Sequence, residues 1–447
     1  MAQVVVCGAG IAGVSTAFHL TRAGIGDVLV VDPLPPLTLT SDKSTECYRN
    51  WWPSEPMVQL MGRSIELLDE YAGESGNVFG LNRRGYLYLT AKPDRLEAMA
   101  AQAVAASAAG AGPLRTHTAT SSSYRPADLE GFEGAPLGAD LILDGGLLRE
   151  YFPQLSDQIV GGLHARTAGW LSAQQLGMWL LEQAKAGGAT FRRAEVTAVH
   201  TSDGSVSAVD LADGTTESTN VFVNAAGPHL PKVAAMLGLD LPVESEVHAK
   251  TAIRDHLGLF PREAPMIIWN DPQHIEWTVD EVEYLRLTGR ADLLGPLPPG
   301  CHGRPEGGSS SPWSLGLWEY HSPVVEPEWP IPTDPMYAEV VVRGLSTIIP
   351  ELARYHDRLP ETVVDAGYYT RTAENRPLAC RVGPKGSFVC GALSGFGIMA
   401  ACGVGELVAN AVSGNALPGW AHWFDIRRYD DPSYVRWVAS MEDSGQL

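Results

Sequence analysis

The chain has 447 residues, 45% hydrophobic and 19% charged, the balance of a folded protein of two or three domains and not of a disordered chain. Basic residues number 32 against 52 acidic ones, a net charge of −20, which argues against nucleic acid or an anionic membrane surface as a partner. The six cysteines form no CxxC pair, so neither a metal site nor a disulfide framework is expected, and reduced thiols suit a cytoplasmic protein.

Residues 1–18 are uncharged and look like a secretion signal by hydropathy, but no Lys or Arg precedes the apolar run and the first basic residue is Arg22. No other stretch offers the ~18 or more uninterrupted apolar residues of a membrane-spanning helix. Lysine supplies only six of the basic residues, a bias expected of a GC-rich, bacterial genome.

In chain order, residues 3–7 (QVVVC) are predicted to form a fully buried strand, short, β-branched and bounded by glycine. Gly8-Ala9-Gly10-Ile11-Ala12-Gly13 follows, then a helix over 14–23 and a second strand over 28–31, closed by Asp32. Gly8 permits a tight strand-to-helix turn, Gly10 lets the backbone approach a pyrophosphate, and Gly13 lets the helix pack close to the strand. The amides of Ile11 and Ala12 at the helix N-terminus attract phosphate, and Asp32 can accept hydrogen bonds from a ribose diol. A glycine-rich turn in another α/β unit is the competing reading. Strand, helix, strand and acid in register favour a dinucleotide.

After a proline-rich segment come Lys43, Ser44, Thr45 and Arg49, followed by Trp51 and Trp52. Hydroxyls and a lysine this close suit phosphate oxygens, and Arg49 beside two tryptophans suits a buried anion or a flat ring. A polar surface loop with an aromatic plug would have the same composition. Helical spacing covers 57–71, and alternation predicts a strand over 85–90. Residues 98–123 are expected to be a helix end running into a loop, and the glycines and prolines of 289–312 to shape a pocket entrance. An apolar strand over 221–224 ends in Ala226 and Gly227, small enough for a cofactor to lie against. Gly395, Phe396, Gly397, Ile398 and Met399 lead into a helix of small residues over 400–411.

The motifs run GAGIAG at 8–13, VVD at 30–32, STECYR at 44–49, RRGYLYL at 83–89, LLREYFPQL at 147–155 and GGLHARTAGWLSAQQL at 161–176. They continue with AEVTAVH at 194–200, VNAAGPH at 223–229, GRPEGG at 303–308, YYTRTAENRPL at 368–378 and GALSGFGIMAACGVGELVANAVSG at 391–414. In this order the chain resembles the D-amino-acid-oxidase-type superfamily of FAD oxidoreductases. Its nearest likeness is to the amine branch of sarcosine oxidase, glycine oxidase and dimethylglycine dehydrogenase.

The resemblance implies a mixed α/β and α+β fold, with a glutathione-reductase-type FAD-binding domain built on a Rossmann-like parallel sheet. That domain would gather residues 1–85, 165–240 and 360–447. A mostly antiparallel substrate domain, non-contiguous in sequence, would gather 86–164 and 241–359. Residues 193–200 would be an inserted strand in which Val196 meets adenine, and the helix after Gly395 would point at the flavin N1/C2=O edge, where negative charge gathers on reduction. Arg49, Tyr369 and His302 are the catalytic candidates, with Arg304 and Tyr368 beside them. Trp269, Trp277, Trp313, Trp318 and Trp329 fall in the substrate stretch and imply an aromatic-lined pocket.

Departures from the family pattern bear on substrate and oxidant. Phe396 stands where many relatives have His, and Met399 stands where sarcosine oxidase has a lysine that helps fix a carboxylate. No lysine lies between Lys250 and Lys385, where that enzyme keeps one for oxygen. Gly367 aligns near its flavin-linked cysteine, and Cys47 near the flavin-linked histidine of dimethylglycine dehydrogenase. FAD is therefore expected to be non-covalent, with Cys47 a buried thiol. The implied reaction is oxidation of the C–N bond of an amine or amino-acid-like substrate, larger than sarcosine if the pocket is aromatic-lined, to an imine by hydride transfer to flavin N5, with reoxidation by oxygen or another acceptor. Two rivals share the fold: a 2-hydroxy-acid dehydrogenase acting on C–O, and a non-enzymatic FAD-binding assembly factor. The sequence leaves the oligomeric state open.

Overall fold

A computed structural model describes residues 3–441, and two large sheets organise it. The first sheet has six strands in the order Leu378–Arg381, Ser387–Gly391, Val221–Asn224, Val4–Cys7, Val28–Asp32 and Thr190–Arg193. All neighbours run parallel except the first pair. Parallel strands need long crossovers, and the covering elements bury both faces, so Val4–Cys7 and Val28–Asp32 are almost wholly apolar. Val4 and Val6 join the core of the helical side with Phe18, Leu68 and Val404. Val5 and Cys7 face the other way, onto Val196, Val209 and Leu211.

The helix of small residues spans Gly397–Ser413 and packs beside Ile11–Arg22 and Glu55–Ser75. Its glycines set that distance: a Cβ on Gly405 would lie 2.5 Å from Ser15 Oγ, and one on Gly403 would lie 2.9 Å from Leu60. No described helix is long and apolar enough to cross a membrane.

The second sheet has nine strands in the order Thr362–Arg371, Glu244–Arg254, Trp313–Leu317, His302–Pro305, Met266–Trp269, Tyr86–Thr90, Gly161–Ala165, Ala139–Ile142 and Leu114–His117. Only the pairs Tyr86–Thr90 with Met266–Trp269 and Leu114–His117 with Ala139–Ile142 are parallel, so the sheet is mostly antiparallel as the resemblance implies. Helix Tyr337–Ile348 packs on one face, where a Cβ on Gly316 would lie 2.7 Å from Val341 and one on Gly303 would lie 3.2 Å from Leu345. Ile253, Ile267, Trp269 and Trp318 bury themselves on that side. On the opposite face Met266, Ile268, Leu141 and Leu163 join the first core, while the outer strand Glu244–Arg254 presents His248 and Lys250.

Three local expectations need correction. Residues 193–200 are not one strand: Thr190–Arg193 extends the parallel sheet, and Val196–Ser202 opens a separate three-stranded antiparallel sheet. Ala194 still donates to the Asp32 carbonyl at 3.0 Å, after which Val196 turns into its own apolar cluster. Residues 98–123 hold the end of helix Pro93–Ala106, a continuing turn and the strand Leu114–His117, broken apart where Gly110 and Gly112 take positive φ. Within 289–312, His302–Pro305 is a fully buried central strand, and Pro305, which cannot donate to the ladder, is its last residue.

Candidate cofactor and substrate site

A cleft enclosing about 1820 Å³, counting its open mouth, runs from the turn after Val4–Cys7 to the face of the nine-stranded sheet that presents His248 and Lys250. At the turn, Gly8 has φ +110°, and a Cβ there would lie 2.3 Å from the Ala225 carbonyl oxygen. A Cβ on Gly13 would lie 1.9 Å from the Gly8 carbonyl oxygen, so glycine is demanded at both positions by the backbone alone. Gly10 differs, because its nearest atom would be Ser41 Oγ at 3.4 Å, and a Cβ on Gly227 would meet nothing within 4 Å. Both border the cleft. Their bare backbones leave room on the cleft side for a ligand to lie close. Asp32 accepts from the Ala9 amide at 2.8 Å and the Leu34 amide at 2.9 Å, which fixes its carboxylate beside the turn.

The loop after the second strand is tied down from across the cleft. Lys250 Nζ donates to the Ser44 carbonyl at 2.7 Å, and Arg304 donates to the Thr45 carbonyl at 2.9 Å. Ser41 Oγ accepts from the Ile11 amide at 3.0 Å, joining the loop to the helix N-terminus. Lys43 is ion-paired to Asp42 at 2.8 Å and to Asp365 at 3.1 Å. Burial pushes the Lys250 ammonium below its usual range, against the opposing pull of Asp365 and Glu46.

Register decides which groups of the sheet face the cleft. Lys250 pairs with Asp365, and His248 with Gly367, along the outer ladder. His302 pairs with Leu317, and Leu317 borders the cleft. His248 is 4% exposed and stacks on Tyr369, ring centroids 3.8 Å apart and 13° from parallel. Its Nε2 lies 3.1 Å from Glu246 and its Nδ1 lies 2.9 Å from Glu319. Arg371 answers Glu246 in turn at 2.6 Å. Burial opposes a charged imidazole, but the two carboxylates outweigh it and push His248 up to about 9. Burial and the Glu319 charge both push the Tyr369 phenol up.

Of the residues singled out in the sequence, Gly8, Gly10, Ile11, Ala12, Asp32, Lys43, Ser44, Thr45, Val196, Ala226, Gly227, Gly395, Gly397, Ile398 and Tyr369 border the cleft. Gly13 stands behind the turn. Phe396 and Met399 sit in the helical core, Phe396 edge-on to Trp52 at 5.1 Å. Arg49 is buried under the sheet, its guanidinium donating to the Tyr88 hydroxyl and lying 4.4 Å from the Trp52 ring. His302 is buried with Nδ1 2.7 Å from the Gly300 carbonyl, and burial lowers its pKa.

The five tryptophans do not wall the cleft. Trp269 and Trp318 lie in the core on the far face of the sheet, Trp277 takes Arg343 over its ring at 4.3 Å, Trp313 pairs with Arg254 at the start of its strand, and Trp329 packs on His229 at 5.0 Å. Tyr368 and Tyr369 supply the aromatic surface. Sequence reasoning passed over His248, Lys250 and Glu319. The alternation within VHAKTA puts His248 and Lys250 on one face and was the available signal.

Cys47 is buried, its Sγ 3.1 Å from the Thr45 carbonyl oxygen and 3.8 Å from Met266 Sδ, and burial pushes its thiol up. All six cysteines are free and buried. No group of three or more His, Cys, Asp or Glu among the described residues could hold a metal ion.

Known proteins share this architecture. L-proline dehydrogenase from P. horikoshii superposes with a TM-score of 0.74 at 20% identity, covering 96% of this chain and 98% of that one. Glycine oxidase from Geobacillus kaustophilus gives 0.71 at 16%, covering 95% and 98%, and iminodiacetate oxidase from Chelativorans sp. BNC1 gives 0.68 at 19%, covering 94% and 98%. At such identities the likeness is one of fold. The mitochondrial dimethylglycine dehydrogenase of Rattus norvegicus is 25% identical over 271 residues, which are 60% of this chain but only 28% of that enzyme. The family described as FAD dependent oxidoreductase (DAO) matches residues 3–411, and the protein belongs to it.

Proposed function

We propose that the protein oxidises the C–N bond of a small amine or amino-acid-like substrate to an imine. The observation that carries this reading is the cleft itself, which joins a dinucleotide turn at Gly8–Gly13 to a sheet face bearing His248 and Tyr369. The solved neighbours named for glycine, iminodiacetate and proline oxidation support it by analogy of fold.

In this reading Gly8, Gly10, Ile11, Ala12, Asp32, Lys43, Ser44, Thr45, Val196, Ala226 and Gly227 hold FAD at its dinucleotide end. Gly395, Gly397 and Ile398 receive the flavin at the start of helix Gly397–Ser413, with Phe396 and Met399 anchoring that turn in the core. When bound, FAD supplies the hydride acceptor, flavin N5. The chain's own residues bind and orient the substrate. Tyr369 offers a ring face held by His248, and the buried Arg49 and His302 are the further contacts. No side chain need remove a proton in the hydride step if the amine binds neutral, so activity should follow the amine's own ionisation.

The FAD-binding unit would gather residues 1–85, 165–240 and 360–447 and the substrate unit 86–164 and 241–359. FAD is held without a covalent bond in this reading, because the Cys47 thiol is buried and its deprotonation opposed. Six reduced thiols suit a cytoplasmic placement. Product analysis tests the reaction class. A carbonyl compound with a released amine supports it, and a ketone without released amine selects C–O oxidation instead.

A further inference from the structure

The strand Trp313–Leu317 runs on into Trp318 and Glu319. Trp318 turns toward helix Tyr337–Ile348, where a Cβ on Gly344 would lie 2.6 Å from its ring. Alternation then points Glu319 to the opposite face, the one that borders the cleft. The antiparallel ladder agrees: Thr251 pairs with Gly316, and three residues further along each strand His248 and Glu319 come together at 2.9 Å.

His248 is shared by two carboxylates that differ in their setting. Glu246 is 13% exposed and also ion-paired to Arg371. Glu319 is 33% exposed, more than Glu246, and its partner His248 lines the cleft. The positive groups on this face have protein acceptors: Lys250 the Ser44 carbonyl, Arg304 the Thr45 carbonyl, and Arg371 both Glu244 and Glu246. Burial would raise the Glu319 carboxyl, but His248 and, beyond it, His302 and Arg49 hold it below its usual range, so it stays ionised. A carboxylate next to a stacked tyrosine is the chemistry that receives an alkylammonium group.

We propose that Glu319 receives the cationic nitrogen of the substrate and is the specificity-determining residue of the cleft. The inference rests on the amine reading above and narrows its substrates to amines that arrive as ammonium ions and release the N–H proton to solvent before the hydride step. A carboxylate accepts hydrogen bonds from an ammonium N–H and also attracts a fully alkylated ammonium.

The test uses the FAD-loaded protein and two probes of similar shape, tetramethylammonium chloride and tert-butanol, at constant ionic strength. Each is titrated while the visible flavin band is followed. Wild type should respond to the cation at a concentration at least about tenfold lower than to the alcohol. E319Q should lose that preference, and E319D should retain part of it. If E319Q fails to keep its flavin, E319S takes its place. Absence of a response to the cation in wild type, equal responses to both probes, or a preference that survives removal of the charge would each overturn the proposal. No turnover is involved. Failure here leaves amine oxidation standing, and failure of every amine to reduce the flavin leaves a cation preference intact.

Discussion

The imidazole of His248 lies flat against the Tyr369 ring at 3.8 Å, clamped by Glu246 on one side and Glu319 on the other. Burial favours neutral imidazole, yet the two carboxylates raise its pKa from 6.5 to about 9. A group whose pKa is raised on folding contributes stability in full below its unfolded value and loses it as the pH rises through the folded one. The clamp should therefore stabilise fully below about pH 6.5 and fade as the pH passes about 9. Melting temperatures of wild type and His248→Gln, taken from pH 6 to 10, should converge with rising pH. Parallel curves would contradict the clamp.

Glycine positions in the dinucleotide turn should separate folding from cofactor binding. Gly10→Ala adds a Cβ that the protein accommodates, 3.4 Å from Ser41 Oγ, so this variant should melt near wild type yet bind FAD at least about tenfold more weakly. Gly13→Ala forces a Cβ to 1.9 Å from the Gly8 carbonyl and should cost roughly 1–3 kcal/mol or more as well as the flavin. Melting curves with measured FAD content decide the point, and equal loss of stability in both variants would count against it.

Arg304 is buried beneath the cleft, donates to the Thr45 carbonyl and pairs with Glu306 at 2.5 Å. Glu306 is 36% exposed, so Arg304→Met leaves chiefly the Thr45 carbonyl unsatisfied and should destabilise by about 1–3 kcal/mol. Because the loop at 43–45 loses its tie, FAD should also dissociate faster. A variant with unchanged FAD release would show that the tie does not hold the loop.

Much of the cofactor end was legible in the sequence because its constraints are local. Gly13 is fixed by the Gly8 carbonyl five positions back and Gly8 by its own positive φ, next to a strand and helix that period alone predicts, although a Cβ on Gly8 would also meet Ala225 from a distant strand. On the substrate side Tyr369 was legible through the resemblance, but its meeting with His248, Glu246 and Glu319 was not, because these residues lie on or just beyond three strands and meet only through register. A lone His in VHAKTA carries no sign of a Glu 71 positions later. The tryptophans misled for the same reason: composition counts them without saying which face of the sheet they take. Residues 193–200 misled because one extended stretch serves two sheets, with Ala194 bonded to the first and Val196 in the second's apolar cluster.

Cys47→Ser should leave the flavin spectrum and its extractability unchanged. The thiol is buried against Met266 and the Thr45 carbonyl, and burial raises its pKa, so it is a weak nucleophile. After acid precipitation the yellow colour should leave with the supernatant in both proteins. Colour retained in the wild-type pellet and lost from the Cys47→Ser pellet would establish a thioether.

The rate of flavin reduction should rise with pH through the ionisation of the substrate amine, because hydride leaves the carbon only when the nitrogen lone pair is free. Stopped-flow traces with two amines of different basicity should give profiles displaced by the difference between their pKa values. A flat profile with an efficient amine substrate would contradict this dependence.

The proposed reaction takes electrons, in this cleft, from carbon next to nitrogen. Its most direct test is anaerobic addition of a panel of secondary and tertiary amines, amino acids and 2-hydroxy acids to the FAD-loaded protein, with the visible band followed. Bleaching by one or more amines, and not by their hydroxy analogues, is the predicted result. Bleaching by hydroxy acids alone, or by nothing in the panel, would contradict it.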